Sequence, residues 1–259
     1  EALGSLEGVA RAKGEILNGL SPQGVAVING DDPFADLWAS LAPGRVMRFG
    51  FEGKALDVQG EWRPLGQGGE LTIRRGTDQA LVRLSLPGQH NGANALAAAT
   101  AAIAAGVVGL DRIVAGLEGV QGVAGRLQWR TGMNGSQILD DTYNANPASL
   151  EAALQVLAEA PAKKLLVLGN MAELGAGAVR FHQDAGLMAR RYGVDQVLAL
   201  GDLAAVAAAA YGQGGRAYAD LEALLADLQP LLTAESWVLV KGSRSARMER
   251  VVDAMTQTG

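Results

Sequence analysis

The 259-residue chain contains no cysteine, which excludes a disulfide framework, thiol catalysis and thiolate metal sites. Its two histidines leave little for an all-histidine zinc centre. Long hydrophobic runs are missing as well, and no charged start leads into an apolar signal core, so the expectation is a soluble, cytoplasmic protein without membrane insertion. Nor is there an excess of positive charge: 22 Lys and Arg against 27 Asp and Glu give a net charge of -5, which argues against nucleic acid or an anionic membrane as partner. Any anionic ligand must therefore be held by a few local groups. Aromatic residues are scarce at 5 %, whereas hydrophobic residues reach 49 % and there are 35 glycines. That composition, rich in tight turns and close backbone approaches, suits an α/β nucleotide binder, and the length favours two domains.

Along the chain, Leu6, Val9, Ala10, Lys13, Ile16, Leu17 and Leu20 fall on one helical face, with Ser5 as N-cap. Val25 to Ile28 reads as a buried strand ending in Asn29-Gly30-Asp31-Asp32-Pro33. From Arg45 to Leu86 short alternating segments separated by Gly-rich turns predict an antiparallel meander. An Ala-rich helix is expected from about Asn91 to Ala105 and a shorter one from Asp111 to Leu117. After Arg126 the pattern becomes regular. Apolar runs at Ile138-Leu139, Leu165 to Leu168, Val197 to Leu200 and Trp237 to Val240 each lead through a polar loop into a helix, the alternation of a doubly wound parallel sheet. In such sheets ligands lie beyond the carboxyl ends of the strands. The chemistry is therefore sought in Asp140-Asp141, Gly169-Asn170, Gly201-Asp202 and Lys241-Gly242-Ser243. The expected division is 1–126 and 127–259.

Four segments carry candidate chemistry. Lys13 lies on an apolar stripe, either snorkelling its ammonium to water or desolvated and usable as a neutral amine. Asn91 and Asn94, three apart on the first turn of a helix, could read a base edge through their carboxamides, or Asn91 could simply cap the helix. Asp140-Asp141-Thr142-Tyr143-Asn144-Ala145-Asn146-Pro147 places two carboxylates at a strand end, followed by a capped helix start with exposed amides. An acid there can accept ribose hydroxyls. Lys241-Gly242-Ser243-Arg244-Ser245 sets two cations at a helix start, against the macrodipole unless an anion joins them. Gly169-Asn170-Met171-Ala172-Glu173-Leu174-Gly175 lacks the spacing of a dinucleotide fingerprint, which discounts a dehydrogenase. His182, on the following helix, reads as a structural, hydrogen-bonded histidine.

In their order along the chain, GSLEGVARAKGEI, VINGDDP, LPGQHNGANALAA, GRL, DDTYNANPASLEAAL, VLGNMAELG and VKGSRSARMERVV resemble the Mur ligases of bacterial peptidoglycan synthesis. The DDTYNANP and GNMAELG forms are most similar to the branch that joins D-alanyl-D-alanine to UDP-N-acetylmuramoyl-tripeptide. The resemblance implies a cytoplasmic, monomeric ATP-dependent ligase with magnesium, working through an acyl phosphate. It also implies an α/β architecture in which 1–126 is the later part of a central ATP-binding domain with an antiparallel insert, and 127–259 a Rossmann-like C-terminal domain. By the same resemblance Lys13 is the carbamylated lysine that helps to hold magnesium and, with Arg126 at the phosphates, is catalytic. Asn91 and Asn94 approach adenine, Asp141 the ribose, and Tyr143 stands where sister ligases carry a phosphate-contacting lysine. Lys241 and Met248 match positions that meet the peptide-bearing substrate.

The family's Gly-Lys-Ser/Thr phosphate loop and its UDP-binding domain precede the GSLEGVA segment, and neither occurs in these 259 residues. The expectation is that the chain alone does not ligate. The alternative is a non-catalytic nucleotide-binding or interaction module that uses Asp141 and helix N-termini.

Overall fold

The computed structural model describes residues 5–106 and 109–256. The chain divides into two compact units, Glu1–Gln121 and Gly122–Gly259.

In the first unit, α1 (Leu6–Gly14) starts at Ser5, whose hydroxyl accepts the Gly8 amide at 3.1 Å. The predicted apolar stripe is only partly used. Ala10 is buried, but Leu6 and Lys13 of the same helix are exposed, and so is Ile16 in the 3-10 turn at Glu15–Gly19, where the periodicity changes. Next come β1 (Val25–Asn29), α2 (Ala35–Leu41), β2 (Arg45–Gly50), β3 (Val58–Leu65), β4 (Gly68–Arg75) and β5 (Asp78–Leu84), in one sheet of order β1-β2-β3-β4-β5. Only β3, β4 and β5 form the antiparallel meander. Arg45–Gly50, expected within it, pairs parallel to β1 and to the start of β3, so the sheet is mixed. Two-residue alternation fixes the buried face: Leu71, Ile73, Val82 and Leu84 point inward, whereas Leu81 stays exposed. Leu96, Ala99 and Ile103 of α3 (Gln89–Ala104) and Ile113 of α4 (Leu110–Glu118) cover that face. Each fully buried Leu or Ile contributes about 1.5–3 kcal/mol.

The second unit holds β6 (Gln128–Thr131), β7 (Gln137–Asp141), α5 (Pro147–Ala158), β8 (Lys163–Gly169), α6 (Ala178–Arg191), β9 (Gln196–Leu200), α7 (Asp202–Tyr211), β10 (Gly215–Tyr218), α8 (Leu221–Leu228), β11 (Ser236–Lys241) and α9 (Glu249–Thr256). The strand order is β10-β9-β8-β11-β7-β6, parallel except for the edge strand β6. Alternate residues of each strand serve opposite faces. Leu139, Leu166, Leu168 and Leu239 pack with α5, α6 and α7, while Ile138, Leu165, Val167, Val238 and Val240 pack with α8 and α9. Buried on both faces, the strands read as continuous apolar runs.

This topology places the site. β7 and β8 lead to α5 and α6 on one face, whereas β11, lying between them, leads to α9 on the other. Chains leaving neighbouring strand ends in opposite directions open a crevice at the carboxyl edge of the sheet.

Candidate functional site

A cavity of about 510 Å³ opens at that crevice, lined by Tyr143 to Asn146 after β7, Ala172 to Leu174 after β8 and Ser243 to Ser245 after β11. Its first wall is a capped turn. The Asn146 side chain accepts the Ser149 amide at 2.8 Å and the Ser149 hydroxyl accepts the Asn146 amide at 3.0 Å, with Pro147 at the first helical position. Thr142 closes on Asp140, its hydroxyl donating to Oδ1 at 2.7 Å, and Arg130 stands 4.0 Å from the other oxygen of Asp140.

Beneath this turn lies a buried ion pair. Lys241 Nζ donates to Asp141 Oδ2 and, at 2.9 Å, to the Asn144 carbonyl, while Asp141 Oδ1 accepts the Leu127 amide at 3.2 Å. The Lys241 side chain is 1 % exposed and that of Asp141 12 %. Lys241 was expected to meet substrate directly. Its ammonium is instead committed to Asp141 from below. Met248 was expected likewise and is fully buried, with Gly169 and Gly242 seated so closely that a Cβ on either would fall 2.6 Å from the methionine side chain. Both residues therefore support the floor, being already enclosed by the crossing strand ends. Asp141, assigned to a ribose, likewise has a partner on each carboxylate oxygen.

Arg126 and Tyr143 are both exposed, and the Arg126 guanidinium lies 4.2 Å from the centre of the Tyr143 ring. Gly125 brings them together. Its left-handed φ of 73° turns the chain so that its carbonyl accepts the Tyr143 amide at 2.9 Å, and a Cβ there would sit 3.1 Å from that nitrogen.

The second and third walls are tied to each other. The Ser243 amide donates to the Asn170 carbonyl at 3.0 Å, and the Ser243 hydroxyl accepts the Ala172 amide at 2.6 Å. His182, fully buried, accepts the Met171 amide on Nε2 at 3.0 Å, and its Nδ1 lies 2.7 Å from the Ala178 carbonyl. Those two partners require the neutral tautomer with its proton on Nδ1, in keeping with the structural role read from the sequence. Sequence reading missed the support that His182 and Ser243 give to the loop between them. The lone imidazole four residues into α6 and the small hydroxyl after β11 were the only signals.

In the first unit, a cavity of about 410 Å³ is lined by Gly30, Asp31, Phe51, Glu52, Gly53 and Gln89. The Asp31 carboxylate accepts the amides of Phe51 at 2.7 Å, Glu52 at 3.0 Å and Gly53 at 2.5 Å, fixing one wall. Asn91 does not cap α3, since the N-cap is Gly88. Its side-chain amide donates back to the Pro87 carbonyl at 2.7 Å, while Asn94 is exposed one turn on. Lys13 is exposed rather than desolvated. Among the described residues no three Asp, Glu or His gather as a metal site, so a carbamate on Lys13 would not join a ready cluster of three such side chains. The residues present do not by themselves form a magnesium site. Among the described residues no helix is long and apolar enough to cross a membrane.

Comparison with known proteins agrees with this geometry. Residues 1–102 match the family described as the Mur ligase middle domain, and residues 125–244 the Mur ligase glutamate ligase domain. The chain is 43 % identical over 264 residues to the UDP-N-acetylmuramoyl-tripeptide--D-alanyl-D-alanine ligase of Escherichia coli, an alignment covering 100 % of this chain and 58 % of that protein. The chain thus spans little more than half the length of the curated relatives it matches. A crystal structure of MurF from Acinetobacter baumannii superposes with a TM-score of 0.87 at 34 % identity, covering 97 % of this chain and 56 % of that one. The fold is shared as well with MurF ligase from Thermotoga maritima in complex with ADP, at a TM-score of 0.78 and 24 % identity over 98 % of this chain and 58 % of that one.

Proposed function

Since the chain belongs to the Mur ligase family, we propose that it forms the middle and C-terminal part of an ATP-dependent ligase that joins D-alanyl-D-alanine to UDP-N-acetylmuramoyl-tripeptide, in the cytoplasm and as a monomer. The single observation that carries this reading is 43 % identity to the E. coli ligase over an alignment that covers the whole chain. In this reading the tripeptide carboxylate attacks the γ-phosphate of ATP, giving ADP and an acyl phosphate. The dipeptide amine then displaces phosphate to form the amide.

The chain's own residues have distinct parts in that chemistry. Arg126, exposed and stacked on Tyr143, offsets negative charge on the transferring phosphate. Asp141 keeps a ribose hydroxyl within reach, and Lys241 fixes its carboxylate. On the first unit, Asn91 and Asn94 present amides to adenine. Lys13, open to solvent, is the proposed site of carbamylation. The 259 residues contain no Gly-Lys-Ser/Thr, so the chain by itself is expected to release no phosphate from ATP.

The test is a chimera in which this chain replaces the matching segment of the E. coli ligase. Phosphate release that requires both UDP-N-acetylmuramoyl-tripeptide and D-alanyl-D-alanine is the expected result. A folded chimera that binds nucleotide but never turns over with the two substrates would overturn the ligase reading in favour of a non-catalytic nucleotide-binding module.

A further inference from the structure

Of the ten residues around the larger cavity, Glu173 and Arg244 alone carry charge, and they stand on different walls, after β8 and after β11. Both are exposed, and among the described residues neither forms an ion pair or a side-chain hydrogen bond. Glu173 is also held in the left-handed region, with φ at 60°. A non-glycine residue there is uncommon and strained, and such strain persists where the surroundings over-determine it, often at ligand sites. The surroundings do so here. The two amides before Glu173 are taken by His182 and by Ser243, at 3.0 and 2.6 Å, so the backbone cannot relax without giving up a buried acceptor on each side. The fold thus holds a carboxylate at the cavity in a conformation that glycine would adopt without strain.

We propose that Glu173 is a specificity-determining residue that receives the ammonium end of a small zwitterionic amine, while Arg244 receives its carboxylate. The cavity's volume falls in the range of small-ligand sites, and one acid and one base on separate walls match a molecule with a charge of each sign at its ends. The side chains near them are small, Ala145, Ala172 and Ser245 among them, leaving room for a compact dipeptide. This inference rests on the ligase reading, of which it names the acceptor subsite.

Calorimetric titration of the 259-residue chain with D-alanyl-D-alanine tests it. Binding is expected for wild type, at least tenfold weaker for Glu173→Gln and Arg244→Gln. N-acetyl-D-alanyl-D-alanine, which lacks the ammonium, is expected not to bind. Glu173→Gly adds a readout that a structural role would not give: it is expected to melt no lower than wild type while losing affinity, because it removes the strain together with the carboxylate. Dipeptide binding that survives Glu173→Gln, or equal binding of the N-acetyl form, overturns the inference and leaves the ligase reading standing. Glu173-dependent binding of L-alanyl-L-alanine with no preference for the D form upholds the zwitterion subsite and removes the D-alanyl-D-alanine assignment. Absence of any dipeptide binding overturns the subsite, and the ligase reading is then decided separately by the chimera.

Discussion

Lys241 and Asp141 are register partners on adjacent parallel strands, and their buried ion pair ties the carboxyl ends of β11 and β7 to the turn at Asn144. A charge in such a place is costly without its partner. Lys241→Met is expected to destabilise the second unit by about 3–5 kcal/mol, because Asp141 keeps its burial and loses its cation. Asp141→Asn should cost a comparable amount: the carboxamide oxygen can still accept the Leu127 amide, but the buried Lys241 ammonium loses its counter-charge and keeps only the Asn144 carbonyl. The double variant should cost clearly less than the two singles added. Urea unfolding of the four proteins gives the coupling. Additive costs would show that the two side chains act independently.

The reach of that ammonium also marks what the sequence could and could not reveal. Strands buried on both faces announce themselves as apolar runs, which is why β7, β8, β9 and β11 were legible, and the polar residues just past them located the cavity. β6, with Gln128-Trp129-Arg130-Thr131, and β10, with Gly215-Arg216-Ala217-Tyr218, are edge strands of four residues each and carry no such pattern. Arg45–Gly50 alternated well enough to look antiparallel, yet the direction of pairing depends on the crossover through α2, which periodicity does not record. Lys241 pairs with a residue 100 positions away. Nothing in its local sequence therefore signals the ion pair. Helical periodicity likewise put Lys13 on the apolar stripe of α1, where the fold leaves it exposed.

The Arg126–Tyr143 stack should matter to nucleotide affinity more than to stability, since both side chains are exposed. A cation over an exposed ring is worth about 0.5–1 kcal/mol. If the stack holds Arg126 ready for phosphate, Tyr143→Ala should weaken ADP binding about two- to fivefold, in line with that energy. Tyr143→Phe, which keeps the ring, should match wild type. Titration with ADP at fixed salt distinguishes them. A loss in Tyr143→Phe equal to that in Tyr143→Ala would assign the effect to the hydroxyl instead.

His182 supports the loop after β8 through one accepted hydrogen bond. His182→Leu leaves the Met171 amide buried without an acceptor, at a cost of about 1–3 kcal/mol. His182→Gln can place its Oε1 near the position of Nε2 and should recover part of that loss. Hydrogen exchange at Met171 and Ala172 reports the local effect: protection should fall in His182→Leu and return in His182→Gln. Unchanged protection in both would mean that Ser243 alone fixes the loop.

Glu70, a buried carboxylate on β4, lies between two guanidiniums, Arg63 from β3 and Arg83 from β5. The hydrogen bond from Arg63, reinforced by Arg83 and opposed by desolvation, holds its carboxyl below the ordinary glutamate value. The sign follows from linkage. A depressed folded-state pKa means that the unfolded chain takes up the proton first as pH falls, so the contribution of Glu70 is fully present above the ordinary value and is lost as pH drops through the folded one. Glu70→Gln should therefore melt below wild type near neutrality, and the gap should close as the solution is acidified past the ordinary carboxylate range. Because Arg63 and Arg83 are largely exposed, added salt should narrow the neutral-pH gap as well. A gap independent of pH would assign the effect to packing of the side chain in the meander and not to its charge.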